Sequence, residues 1–294
     1  MKETRYYMVA GHVFSVTVEE GDLKMMTNYE PFVCEVSVPC FTLSIEDGAA
    51  IDYSEDMRQQ EEGQEIVCGE TADGRSVFDF RFCTDANGGM QTAGCLVCSA
   101  DYHEAILILT GVNRKFAIDS ALMVLYAQAT ADKGTALFHS AVVSHRGKGY
   151  MFLGKSGTGK STHARLWLQH IDGTELMNDD NPIVRDGIVY GSPWSGKTPC
   201  YRRVDCPLGG IVLLSQAPYN RIRRLEGIEA YAALLSSISG MRWNRHIADG
   251  LHQTENSLAM RVPVWHLECL PDEEAAILCS STIEQSSVNQ IERR

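Results

Sequence analysis

The stretch Gly154-Lys-Ser-Gly-Thr-Gly159-Lys160-Ser161 constrains this chain more than any other, because it satisfies G-x-x-x-x-G-K-[ST] without substitution. An apolar segment, YMFLG, leads into it, and a helix-compatible one, STHARLWLQHI, leads out. Residues 150–171 are therefore expected to run strand, loop, helix. Each residue type has a reason to be there. Gly154, Gly157 and Gly159 let the backbone curl until consecutive N–H groups face one anion, and the helix that follows adds the positive end of its dipole. Lys160 then supplies a charge to the β- and γ-phosphates, and Ser161 a hydroxyl to Mg²⁺. The expected nucleotide contacts are Gly154, Ser156, Gly157, Thr158, Gly159, Lys160, Ser161 and Thr162, with ATP or GTP and Mg²⁺ as ligands.

What flanks the loop departs from an ordinary P-loop protein. The RGKG turn at 146–149 pairs the preceding strand with ALFHSAVVS in an antiparallel hairpin, and that earlier strand carries His139. After one helix comes Asn178-Asp179-Asp180-Asn181. Adjacent strand residues face opposite ways, so both carboxylates serve one site only if the strand ends there, as Pro182 suggests. One carboxylate can then take an acceptor's proton and the other hold Mg²⁺; Asp179 is assigned to the first role and Asp180 to the second. The plainer readings are two solvated acids at a turn and a packed strand histidine. Lys197, Arg202 and Arg203 are the remaining candidates to neutralise phosphate or bind substrate, whereas Arg221, Arg223 and Arg224 read as decoration of a strand edge. Trp194 walls the pocket or belongs to the core.

The rest of the chain supplies scaffold. Period-two alternation marks strands at Phe14/Val16/Val18, Cys34/Val36/Val38, Phe41/Leu43/Ile45 and Phe78/Phe80/Phe82, with a denser strand at 105–111. This first third reads as antiparallel sheet, and the polar run SEDMRQQEEGQE as a solvated loop. From residue 116 the period becomes helical, through Ile118, Ala121, Leu122, Leu125 and Ala129 to a stop at Gly134. Strands and helices alternate afterwards, with helices at 227–238 and 272–285. The expected organisation is a β-rich region at 1–115 and a nucleotide-binding domain at 116–294. With Asp+Glu 38 against Lys+Arg 26 the net charge is −12, which argues against nucleic acid or an anionic membrane as partner. No apolar run approaches the length of a membrane span, and the N-terminus lacks a secretory core. Ten cysteines without a framework spacing read as reduced thiols in a cytoplasmic protein. The single Cys95-Leu-Val-Cys98 has no second pair to make a zinc site.

The segments HSAVVSHRGKGYMFLGKSGTGKSTHARLW, LMNDDNPIV and YGSPWSG together resemble the P-loop domain of the HPr kinase/phosphorylase family, over roughly residues 135–270. The resemblance implies an α/β (α+β) fold of the phosphoenolpyruvate carboxykinase/HPr kinase type. It also implies phosphoryl transfer from a nucleotide to a hydroxyl, with His139, Lys160, Asp179 and Asp180 at the family's functional positions. The C-terminal loop that handles the HPr substrate is not found, so HPr itself is not the expected acceptor. A peptide, another protein or a small-molecule alcohol is, docking on the first 115 residues, and a homo-oligomer is among the expected states. The alternatives are a non-catalytic nucleotide-binding regulator and, further off, a carboxykinase-type enzyme.

Overall fold

Alternating apolar residues at the start of the chain build a sheet with one face closed by a helix. The computed structural model describes residues 1–61, 63–84, 89–196 and 198–291, and the chain divides into the units Met1–Thr130 and Ala131–Arg294. In the first unit the strands are β1 (Lys2–Val9), β2 (His12–Glu19), β3 (Phe41–Asp47), β4 (Ser54–Glu61), β5 (Gln64–Glu70), β6 (Ser76–Cys83), β7 (Met90–Cys98) and β8 (Glu104–Leu109). They form one sheet in the order β1-β2-β3-β8-β7-β6-β5-β4. A short helix, α1 (Glu20–Leu23), follows β2, and a long one, α2 (Arg114–Thr130), packs on β6, β7 and β8. The sheet is mixed, not wholly antiparallel as expected: β3 runs parallel to both β2 and β8. On the closed face Phe14 stacks on Phe41 with ring centroids 4.9 Å apart, and the Tyr126 hydroxyl of α2 donates to the Val9 carbonyl at 3.0 Å.

Three expectations for this unit change. Cys34/Val36/Val38 is not a strand, and Val36 and Val38 stand 80% and 89% exposed. The polar run at 54–65 is not a solvated loop but an edge strand, β4, and the start of β5. An edge strand needs no apolar alternation, and β4 instead joins Arg58 to Glu55 and Glu65. The division expected at residue 115 falls at 130, because α2 buries its apolar side on the first sheet. Cys95 and Cys98 are buried in β7; burial raises the Cys95 thiol to about 11 and Cys98 further, and the described cysteines are all free thiols.

The second unit contains β9 (Thr135–Leu137), β10 (Ala141–His145), β11 (Lys148–Leu153), β12 (Thr174–Asn178), β13 (Ile183–Arg185), β14 (Ile188–Tyr190), β15 (Asp205–Gln216), β16 (Arg221–Leu225) and β17 (Val264–Cys269). Its helices are α3 (Lys160–His170), α4 (Ile228–Leu235), α5 (Arg245–Arg261) and α6 (Glu273–Ile291). The strand order β12-β10-β11-β15-β14-β13-β9 is joined by β17 on β15 and β16 on β17. Hydrophobic residues of β10, β11, β15 and β17, Phe152, Val212 and Trp265 among them, meet Trp167 of α3 and Cys279 and Ile283 of α6 in one core. The segment ALFHSAVVS divides into β9 and β10 around His139. Helix α5, which the apolar spacing did not announce, starts on Asn244, whose side chain accepts from His246 N and Ile247 N. The chain is thus of mixed α/β (α+β) class, and among the described residues no helix is long and apolar enough to cross a membrane.

Candidate functional site

The register of three strands assembles the site. β10 is antiparallel to β11 and to β12, so the two outer strands run the same way. Val142 of β10 pairs with Met151 on one side and Asn178 on the other. The P-loop leaves β11 just past Met151, the acidic pair follows Asn178 directly, and His139 precedes Val142. All three therefore emerge at one end of the sheet. At about 4.8 Å between neighbouring strands, the P-loop and acid-pair strands stand about 10 Å apart.

Within the P-loop the chain leaves β11 at Gly154 with φ 152° and enters α3 from Gly159 with φ 109°. A Cβ on Gly154 would lie 3.1 Å from Thr158 Cγ2 and 3.3 Å from the Leu214 carbonyl, and the positive φ would strain any side chain there, so glycine is favoured between loop and β15. Lys160 opens α3, is buried, and donates from Nζ to the Gly154 carbonyl at 3.0 Å. Ser161 and Thr162 follow in the first helical turn, whose N–H groups have no partners within a helix. This cradle of positive-φ glycines, a buried ammonium and a helix start suits a polyphosphate. On the inner face of α3, burial lowers His163 to about 4, and its Nε2 accepts the Trp167 indole N–H at 3.2 Å.

The acid turn is organised by a residue that sequence reasoning passed over. Asn178 is fully buried; its Oδ1 accepts the N–H groups of Asp180 and Asn181, and its Nδ2 donates to Ser192 Oγ and the Trp194 carbonyl. The signal was present, since Asn followed by Asp, Asn and Pro is the composition of a side-chain-closed turn. The strand ends at Asn178, so the two acids are not bound to opposite faces. Asp179 is buried, and its two oxygens accept N–H bonds from Gly196 and Thr198, both at 3.2 Å. Asp180 is 31% exposed and places Oδ1 3.2 Å from His139 Nδ1. The link between β9 and β10 that carries His139 is held on two sides: Ser140 N donates to the Asp180 carbonyl, and His139 N to that of Ser237. Trp194 is buried.

The tentative phosphate cations separate from this group. Arg202 donates to the Leu176 carbonyl and to Glu175. It lines a cleft of about 310 Å³ with His145, Arg146 and Gly147, at the hairpin turn that closes the far end of β11. Its guanidinium is thus turned toward the hairpin end of the sheet, away from the end where the P-loop leaves. Arg203 is exposed beside it, and Lys197 lies outside the described residues. Arg223 pairs with Glu229 and Arg224 lies over Trp265, on the edge strand β16 as expected. Among the described residues no cluster of His, Cys, Asp and Glu suits a metal ion by itself. Comparison with family models and with curated proteins gives no match for this chain.

Proposed function

We propose that the chain is a kinase of the HPr kinase-like kind, transferring the γ-phosphoryl group of ATP to a hydroxyl on a peptide, protein or small molecule. One observation carries the reading: a full P-loop and the His139–Asp180 pair leave the same end of one sheet. Phosphoryl transfer depends on positioning and charge neutralisation, and these are the parts it requires. Lys160 binds the β- and γ-phosphates. Ser161 would supply an oxygen donor to Mg²⁺, which bound there would neutralise charge on the transferred group. Asp180 takes the acceptor's proton, because it is the accessible carboxylate and His139 shares the charge. Asp179 is buried, and both its oxygens are occupied by the Gly196 and Thr198 N–H groups, so it is the less accessible of the two and anchors those residues. The proton-accepting role thus falls to Asp180 and not, as assigned from sequence, to Asp179.

The test is transfer of label from γ-labelled ATP to a panel of peptide, protein and alcohol acceptors. Asp180→Asn should lower turnover by about 10² to 10⁴ with MgATP affinity preserved, and Asp179→Asn by less. Fast hydrolysis indifferent to every acceptor would replace the kinase with an ATPase. The second reading is a nucleotide-binding regulator without catalysis. MgATP binding with no transfer to any acceptor would select it.

A further inference from the structure

The strand beside the P-loop strand ends on a side chain not yet given a role. β15 runs parallel to β11 with Leu213 opposite Leu153, so the residues after Leu213 continue alongside the loop. The Leu214 carbonyl touches the Gly154 position, as the Cβ distance above shows. Two residues on, Gln216 Nε2 lies 3.2 Å from the Gly157 carbonyl and 3.5 Å from that of Thr158. The contact has a defined sense, since only the NH₂ end of a glutamine amide can bond a carbonyl oxygen.

The peptide that Gln216 holds begins at a glycine in a left-handed conformation. Gly157 has φ +75° and open space where its Cβ would stand, so no side chain at 157 and no neighbour of that position restrains its backbone. Two hydrogen bonds hold the Gly157–Thr158 peptide: Gln216 on its carbonyl, and its own N–H, that of Thr158, donating to the Lys155 carbonyl at 3.1 Å. A glycine in open space can turn its peptide over at small steric cost. Turned over, the carbonyl oxygen would go where the Thr158 N–H now points, toward the Lys155 carbonyl that lies 3.5 Å from the Lys160 ammonium, and its partial negative charge would compete with phosphate for that ammonium.

We propose that Gln216 is a positioning residue of the phosphate-binding loop, keeping the Gly157 carbonyl out of the polyphosphate site. This rests on the nucleotide-binding reading above. The experiment measures MgATP and magnesium inorganic triphosphate binding by calorimetry, for wild type, Gln216→Leu, Gln216→Glu and Lys160→Ala. Gln216→Leu should weaken both ligands by about three- to tenfold, the range one neutral hydrogen bond supports. Gln216→Glu should weaken both by more than about tenfold, because an ionised carboxylate cannot donate and adds repulsion. Neither change should lower the ligand-free thermal midpoint, since Gln216 is exposed; equal loss for the two ligands places the effect on phosphate and not on the base. If both Gln216 variants bind like wild type while Lys160→Ala fails, this inference alone falls. If wild type binds neither ligand, the nucleotide reading falls with it.

Discussion

His163 shows how a single residue on the P-loop helix sets a pH limit. Burial holds it at about 4 against an ordinary 6.5, so in the folded chain it is neutral at pH 7. The unfolded chain takes up the proton near pH 6.5, the folded one only near 4. Stability is therefore undiminished above pH 6.5 and falls as pH drops through that interval, by on the order of 3 kcal/mol in all. Urea midpoints measured between pH 7 and 4.5 should drop less steeply for His163→Gln, which can still accept the Trp167 indole N–H. Parallel curves for the two proteins would remove His163 from the acid limb. The individual residues of the loop itself were legible in the sequence, because the motif prescribes chemical types at fixed spacing. The roles of Asp179 and Asp180 were not: they depend on which carboxylate meets the Gly196 and Thr198 N–H groups and which meets His139.

Elements carry the next level of constraint. The β10–β11 hairpin was readable from RGKG, where Arg146 and Gly147 both adopt positive φ, the pairing that a tight two-residue turn demands. Helix α5 was harder to see because its inner face mixes Ile247, Leu251 and Leu258 with buried Gly250, Thr254 and Glu255. Glu255 is fully buried between the Arg242 guanidinium and the Tyr231 hydroxyl, which accounts for an acid on an inward face. Gly250 has its own reason. A Cβ there would lie 2.4 Å from the Ala131 carbonyl, so helix and the 131–133 turn meet backbone to backbone. Exchanging a helical glycine for alanine ordinarily gains up to about 1 kcal/mol. Here Gly250→Ala should instead destabilise by about 1–3 kcal/mol, as overpacking does. Chemical denaturation decides it, and a gain in stability would mean that α5 can shift outward at little cost.

For the whole molecule, the division at Thr130/Ala131 has a direct consequence. Every residue of the proposed nucleotide site lies after Ala131, and the core beneath it, around Phe152, Trp167 and Trp265, is drawn from the same segment. A fragment of residues 131–294 should fold with a cooperative thermal transition and bind MgATP within about threefold of the full chain. A fragment beginning at residue 116 should instead expose the apolar face of α2 and associate with itself. Loss of nucleotide binding by the shorter fragment, with its transition intact, would show that the first unit contributes to the site.

The sequence by itself determined the strand–loop–helix of the P-loop, the hairpin before it, the end of a strand at the acidic pair and the mixed class of the fold. Each of these is local, written within a few neighbouring residues as spacing, turn chemistry or periodicity. Only the tertiary structure decided the rest. Periodicity carries no strand direction, so β3 could not be read as parallel to β2 and β8. An edge strand such as β4 lacks the alternation that burial imposes. Charge marks Arg202 as a candidate phosphate or substrate ligand, but only the fold shows that it bonds Glu175 and the Leu176 carbonyl, facing the hairpin end of the sheet. The shared exit of His139, Asp180 and the P-loop comes from the register of β10 with both β11 and β12. That register is set by hydrogen bonds between segments distant in the chain, and no local pattern contains it.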